Sequence, residues 1–196
     1  MSNFRRKLMA AVAAGELPTA YRRLTGIIYD GNVYYNAGLR LHGADTLRFA
    51  FSVTGNCNVI GCYTTGTATT NYSLYVSTAA GSKYLRYGNG TYNSVVVTGT
   101  RYDVTLTPTG SSGMRTDSSW TAKTFTAESD MLIGSTSVGA TSSKLVGRMF
   151  GNVEVVGRAL FIPVERNDGE IGYYELYSGS FLTNQGSGTP QKIAYA

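Results

Sequence analysis

The chain is poor in the residues that most enzymatic chemistry needs. Its 196 residues include one histidine, two cysteines, one tryptophan, four prolines and only 12 acidic residues. His42 is the sole candidate for a Ser-His-acid relay, and the G-x-S-x-G elbow is absent. Zinc needs grouped His and Cys, which this inventory does not supply. A glycosidase needs two facing carboxylates, most simply from i, i+2 on one strand, and no strand-like run carries such a pair. The phosphate-cradling G-x-x-x-x-G-K-[ST] and dinucleotide G-x-G-x-x-G patterns are missing. No apolar run approaches the ~18–20 residues of a membrane-spanning helix. The expectation is a non-enzymatic protein without a resident cofactor or catalytic residue. Ca²⁺ is the one alternative, at the turns Asp30-Gly31-Asn32 or Asn167-Asp168-Gly169, and turn chemistry accounts for both.

What the chain has is glycine and tyrosine, 24 and 15 residues, with hydrophobic residues at 42%. Charged residues make up 15%, low against the usual ~25%. Gly, Tyr, Thr and Val together indicate β-structure with many tight turns. The net charge of +5 is concentrated at the start, where residues 1–23 carry +4 and the remainder +1. A nearly neutral body lacks the basic stripe that nucleic-acid backbones require.

The N-terminus has two readings. MSNFRRKLMAAVAAGELPTA has the outline of a weak secretion signal, but Phe4, Leu8 and Val12 fall at i, i+4, i+8 with Arg5 and Arg6 beside them. The spacing favours a short helix that Gly15 and Pro18 terminate. A helix this short is marginal alone and needs a docking surface. The division is an arm over residues 1–19 and a β-domain over 20–196.

Cys57 and Cys62 are five residues apart. On a regular strand that is roughly 16 Å with the side chains on opposite faces, which predicts separate thiols. After residue 21 the pattern predicts short strands at 24–29, 32–36, 46–54, 59–63, 72–77, 83–87, 94–98, 102–107, 121–126, 131–134, 147–156, 160–163 and 172–176. Turn signals such as Gly88-Asn89-Gly90 separate them. The clearest run is 47–53, with Leu47, Phe49, Phe51 and Val53 on one face. Many short strands without intervening helices indicate an all-β sandwich of two antiparallel sheets. The segment GEIGYYELYSGSFLTNQGSG reads as a closing hairpin and loop. Tyr72, Tyr84, Tyr87, Tyr92 and Trp120 lie near turns and are the candidate glycan-contact aromatics. Structural tyrosine is the competing reading at each.

Chain order carries a resemblance. Leu17-Pro18-Thr19-Ala20-Tyr21 leads into TGIIYDGNVYYNAG, followed by VIGCY, Leu85-Arg86-Tyr87-Gly88, Met131-Leu132-Ile133-Gly134 and Gly147-Arg148-Met149-Phe150. Leu160-Phe161-Ile162-Pro163-Val164 and the closing segment follow. This order resembles tailed-phage virion proteins with a concanavalin A-like (laminin G-like) jelly roll. The start MSNFRRKLM resembles the N-terminal arm of virion proteins from phages of gut Bacteroidales. Two positions depart from the family pattern. Asp-Thr-Gly is Asn36-Ala37-Gly38 here, and Glu175 replaces an aspartate. The resemblance implies a jelly roll made in the host cytoplasm and carried on the virion surface as a head fibre, decoration or tail adhesin. It also implies a homo-oligomer with a surface available to host glycans, and no membrane or nucleic-acid partner. Phe4, Arg5, Arg6, Leu8 and Val12 would dock the arm on capsid or tail proteins. The alternative is a secreted or cell-surface bacterial carbohydrate-binding module, which requires the N-terminus to be a cleaved signal.

Overall fold

A computed structural model describes residues 17–64, 69–76, 84–116, 119–136 and 144–196. The proposed arm residues Phe4, Arg5, Arg6, Leu8 and Val12 lie outside that set. Among the described residues every element is a strand and every pairing is antiparallel. The strands are β1 (Tyr21–Arg23), β2 (Gly26–Asp30), β3 (Tyr35–Asn36), β4 (Leu47–Val53), β5 (Cys57–Cys62) and β6 (Asn71–Val76). Next come β7 (Tyr84–Gly88), β8 (Gly90–Val95), β9 (Tyr102–Thr107), β10 (Gly110–Ser112), β11 (Arg115–Thr116) and β12 (Leu132–Ile133). The last five are β13 (Val146–Val155), β14 (Ala159–Arg166), β15 (Ile171–Glu175), β16 (Ser180–Leu182) and β17 (Gln191–Lys192).

They form two sheets. The first is a ten-stranded sheet built on the order β10-β9-β4-β13-β14-β15-β16, and the second runs β11-β8-β7-β6-β5-β12-β3. One core joins them, with Phe51, Val53 and Phe161 from the first sheet and Ile60, Leu74 and Leu85 from the second, all fully buried. The alternation in β4 holds: Leu47, Phe49, Phe51 and Val53 all enter this core. Burial of such side chains is the main favourable term, roughly 1.5–3 kcal/mol for each large apolar group.

The first sheet accommodates both chain ends in an opened hairpin. β13 and β14 pair only near their turn, from Val153–Phe161 to Val155–Ala159. Beyond that point they splay. β2 runs along β13, β1 runs along β14, and β17 pairs with β2. The outer face of this sheet carries a second small cluster of Ile162, Val164, Tyr174 and Leu176, against which Leu17, Tyr21 and Phe181 pack. Phe161 and Tyr173 alternate with these residues and point to the main core. Leu17, the first described residue, therefore sits on the outside of the ten-stranded sheet.

The loop after β16 is held by one side chain. Asn184 Oδ1 accepts N–H bonds from Tyr34 (3.1 Å) and Gly186 (2.9 Å), and its Nδ2 donates to the carbonyls of Gly186 and Gly188. Gln185 N–H then donates to the Tyr34 carbonyl, and Gly188 N–H to Asn32. The backbones come so close that a Cβ at residue 186 would lie 1.7 Å from the Asn32 carbonyl oxygen. Glycine is thus required at 186 by approach, whatever its backbone angles.

Three expectations are corrected. Residues 121–126 form no strand: their backbone bonds go to the Tyr87 hydroxyl and to Gly43, leaving a bridge between Thr126 and His42. β5 contains a register shift between Asn58 and Ile60, so Cys57 and Cys62 share the inner face with Val76 and Tyr72 opposite them. Opposite faces would need a regular strand. The thiols are nonetheless free, as expected, and both are buried. Short strands at 21–23, 110–112, 115–116 and 191–192 carry too little pattern to be read from sequence.

Gly186→Ala should destabilise the fold by roughly 1–3 kcal/mol, the range for overpacking a tight contact. Gly55→Ala, where an added Cβ meets nothing within 4 Å, should change stability by less than about 0.5 kcal/mol. Urea denaturation of the two variants measures both.

Candidate functional site

The aromatic candidates from sequence divide sharply. Tyr72 and Tyr87 are fully buried and Trp120 nearly so. Tyr72 OH donates to the Asp45 carbonyl (3.2 Å). Tyr87 OH donates to the Gly43 carbonyl (2.5 Å) and accepts the Lys123 N–H (3.1 Å). Trp120 Nε1 donates to the Thr107 carbonyl (3.1 Å). The rings of Tyr87, Trp120, Tyr72 and Phe125 meet at centroid distances of 5.3–6.5 Å. These groups tie the loops at 43–45 and 120–125 over the end of the second sheet, so Tyr72, Tyr87 and Trp120 offer no face to a sugar. Tyr92 is half-buried and packs its ring on Trp120 at 5.1 Å. Tyr84 pairs with Tyr75 and Asn93 in the ladder, and its side chain lies outside the described set.

A second aromatic group spans the sheets near the chain termini. Tyr29 OH and Tyr173 OH share a buried hydrogen bond of 3.1 Å, and Tyr35, edge-on to both rings, donates to the Ile171 carbonyl. Burial pushes the Tyr29, Tyr35 and Tyr173 phenols well above their ordinary range. Burial also raises the thiols, Cys57 to about 11 and Cys62 to about 12.

Several acidic residues are pinned by cations. Arg166 donates to Asp168 (2.7 Å) and Glu170 (2.6 Å) across the Asn-Asp-Gly turn, and the Arg166 hydrogen bond holds the Asp168 carboxyl below its usual value. Glu165 accepts from Tyr195 and Lys192, which lower its pKa in that order. Glu175, where the resemblance has aspartate, accepts N–H bonds from Leu160, Tyr177 and Ser178 and so stabilises the turn before β16. Asn36, at the other departure, accepts the Gly38 N–H in a local turn. His42 is exposed, and no ion pair among the described residues involves it. Asp45, nearly buried, pairs with Arg158 and accepts the His42 N–H. No group of three or more His, Cys, Asp or Glu able to hold a metal occurs among the described residues. In that same set no helix is long and apolar enough to cross a membrane.

One groove open to a ligand lies on the side of β6, β7 and β8 that faces away from the core. Cross-strand register sets Tyr72, Leu74, Leu85 and Tyr87 toward the core, and Ser73, Arg86 and Thr91 on the opposite face, where Ser73 is itself buried. The groove, of about 310 Å³, is lined by Tyr63, Thr64, Asn71, Arg86, Asn89 and Thr91 with Gly88 and Gly90 between them. The Arg86 guanidinium stacks 4.2 Å above the Tyr63 ring. Asn71 Oδ1 accepts the Thr64 N–H and fixes the wall. The Lys123 ammonium reaches the Asn89 amide oxygen at the rim. The site is a shallow set of guanidinium, amide and hydroxyl groups with no paired acid and base, a composition suited to binding. Sequence reasoning missed Tyr63 and Arg86. The signal was there, since Arg86 is the polar position in the alternating run Leu85-Arg86-Tyr87.

Comparison with protein-family models, with curated proteins and with solved structures finds no match to this chain.

Two solution tests follow from the buried thiols and phenols. At pH 8 a thiol reagent should label neither cysteine in the folded protein and both in denaturant. The folded thiols and phenols ionise above their unfolded values of about 8.5 and 10. Their contribution to stability is therefore complete below about pH 8.5 and is lost as pH rises. Urea midpoints should hold steady from pH 7 to 8.5 and fall progressively above about pH 9.

Proposed function

We propose that the chain is a non-enzymatic structural protein of a tailed-phage virion. In this reading the β-domain is a concanavalin A-like jelly roll. Residues 1–19 anchor it to capsid or tail proteins through Phe4, Arg5, Arg6, Leu8 and Val12. The module stands on the virion surface as a head fibre, decoration or adhesin, with a lectin-like face for host glycans.

The observation that carries the reading is the arrangement of the two outer faces. Leu17, where the arm joins the domain, packs on the outside of the ten-stranded sheet. The polar groove lies on the outside of the other sheet. In this reading attachment and recognition fall on opposite sides of the sandwich, as a surface-mounted binding module needs. A second support comes from the motifs. The opening stretch at 32–34 and the closing stretch at 184–188, far apart in the chain, bond directly to each other. The resemblance therefore rests on segments that meet in one structural unit. Many weak sites on one particle gain avidity without a strong single site.

Deletion of residues 2–16 should leave a folded β-domain whose melting temperature stays within a few degrees of the full chain. The deleted form should be missing from purified particles that carry the full-length protein. A truncated protein that still joins particles overturns the anchoring role. A full-length protein never found in particles, and recovered with its N-terminus cleaved, overturns the virion reading in favour of a secreted carbohydrate-binding module.

A further inference from the structure

Three open grooves can be compared by their charges. The groove on the outer face of the first sheet contains Arg48 and Arg101, each ion-paired, with Glu154 at 3.2 Å and Asp103 at 2.7 Å. The groove of about 510 Å³ beside β16 contains Arg158, paired with Asp45, and Glu175, whose oxygens are filled by backbone N–H groups. In both, the protein has already neutralised or satisfied its charges. The groove around Tyr63 and Arg86 differs. Among the described residues neither Asp nor Glu lines it, and Arg86 has no carboxylate within 4 Å.

Arg86 is held in place all the same. Its guanidinium carbon sits over the Tyr63 ring, 4.2 Å from the centroid, a cation–π contact that positions the N–H fork and leaves it without a protein acceptor among the described residues. The Lys123 ammonium adds a second positive charge at the rim, anchored through Asn89. A preoriented guanidinium in a groove without acids favours a planar anion that can accept two parallel N–H bonds. The Asn89 amide and the hydroxyls of Thr64 and Thr91 around it are groups that sugar hydroxyls can bond. Because Arg86 covers one face of Tyr63, charge and hydrogen bonding dominate here over ring stacking. The nearly neutral body of the chain argues against a polyanionic nucleic-acid backbone.

We propose that this groove binds a carboxylate-bearing sugar, a uronic or sialic acid residue of a surface polysaccharide, with Arg86 as the carboxylate receptor and Tyr63 as its positioning residue. The proposal rests on the glycan-binding reading above and specifies its ligand class.

The test is an array of acidic saccharides and their carboxyl-reduced or methyl-esterified counterparts, probed with the full-length protein. Backbone amide NMR titration with the strongest saccharide then locates the site. Acidic saccharides should bind at least tenfold more tightly than their neutral counterparts, with shifts concentrated at residues 86–91. Arg86→Gln should lose at least tenfold in affinity. Arg86→Lys should recover only part of it, because the bidentate fork is gone. Arg48→Gln, on the opposite sheet, should bind like the parent. Melting curves identify any variant that does not fold, and for such a variant the parent's acid preference and shift map decide alone. Equal binding of acidic and neutral saccharides, or shifts outside this groove, overturns the carboxylate assignment while the glycan reading stands. No binding to any saccharide overturns both.

Discussion

The structure depends on how the last loop is tied to the first. Asn184 bonds its own loop at Gly186 and Gly188 and the backbone of Tyr34, which joins residues 150 positions apart. Glycine at 186 lets the two backbones touch. With that contact made, the chain reaches β17 already aligned beside β2, and β2 already lies in the opening between β13 and β14. The open hairpin would otherwise expose unpaired backbone groups along two central strands, a costly arrangement. One amide side chain therefore sets the register of the segment that completes the larger sheet.

Aromatic residues serve the same end elsewhere. Tyr29, Tyr35 and Tyr173 link the sheets at one place, and Tyr72, Tyr87, Trp120 and Phe125 anchor loops at another. Each buried hydroxyl or indole N–H in these groups has a partner, so the rings contribute apolar area without an unsatisfied donor. A chain with 15 tyrosines spends many of them inside. The groove proposed for recognition is polar, and its most distinctive group is an arginine rather than a stacked ring.

The sequence was legible where local pattern and burial coincide. The alternation over 47–53 gave the core face of β4, and GEIGYYELYSGSFL read correctly as strand, turn and strand. It was illegible where long-range partners decide. A single extra residue in β5 turned the expected opposite-facing cysteines to one side. Tyr72 and Tyr87 looked like exposed turn aromatics because the carbonyls that receive their hydroxyls lie 27 and 44 residues away. The 121–126 run has strand composition but gives its hydrogen bonds to a loop and a phenol. Asn184 looked like one more turn former, since its partner Tyr34 is remote. Arg86 could have been found by applying to β7 the alternation that succeeded for β4.

The proposal that binds these features together is that the sandwich is mounted by one face and reads glycans with the other. Cryo-electron microscopy of phage particles carrying the protein addresses it directly. The account predicts density for the sandwich on the particle surface, with residue 17 toward the particle and the groove at Tyr63 and Arg86 facing solvent. Particles without the module, or a module whose second sheet is buried against the particle, would contradict it.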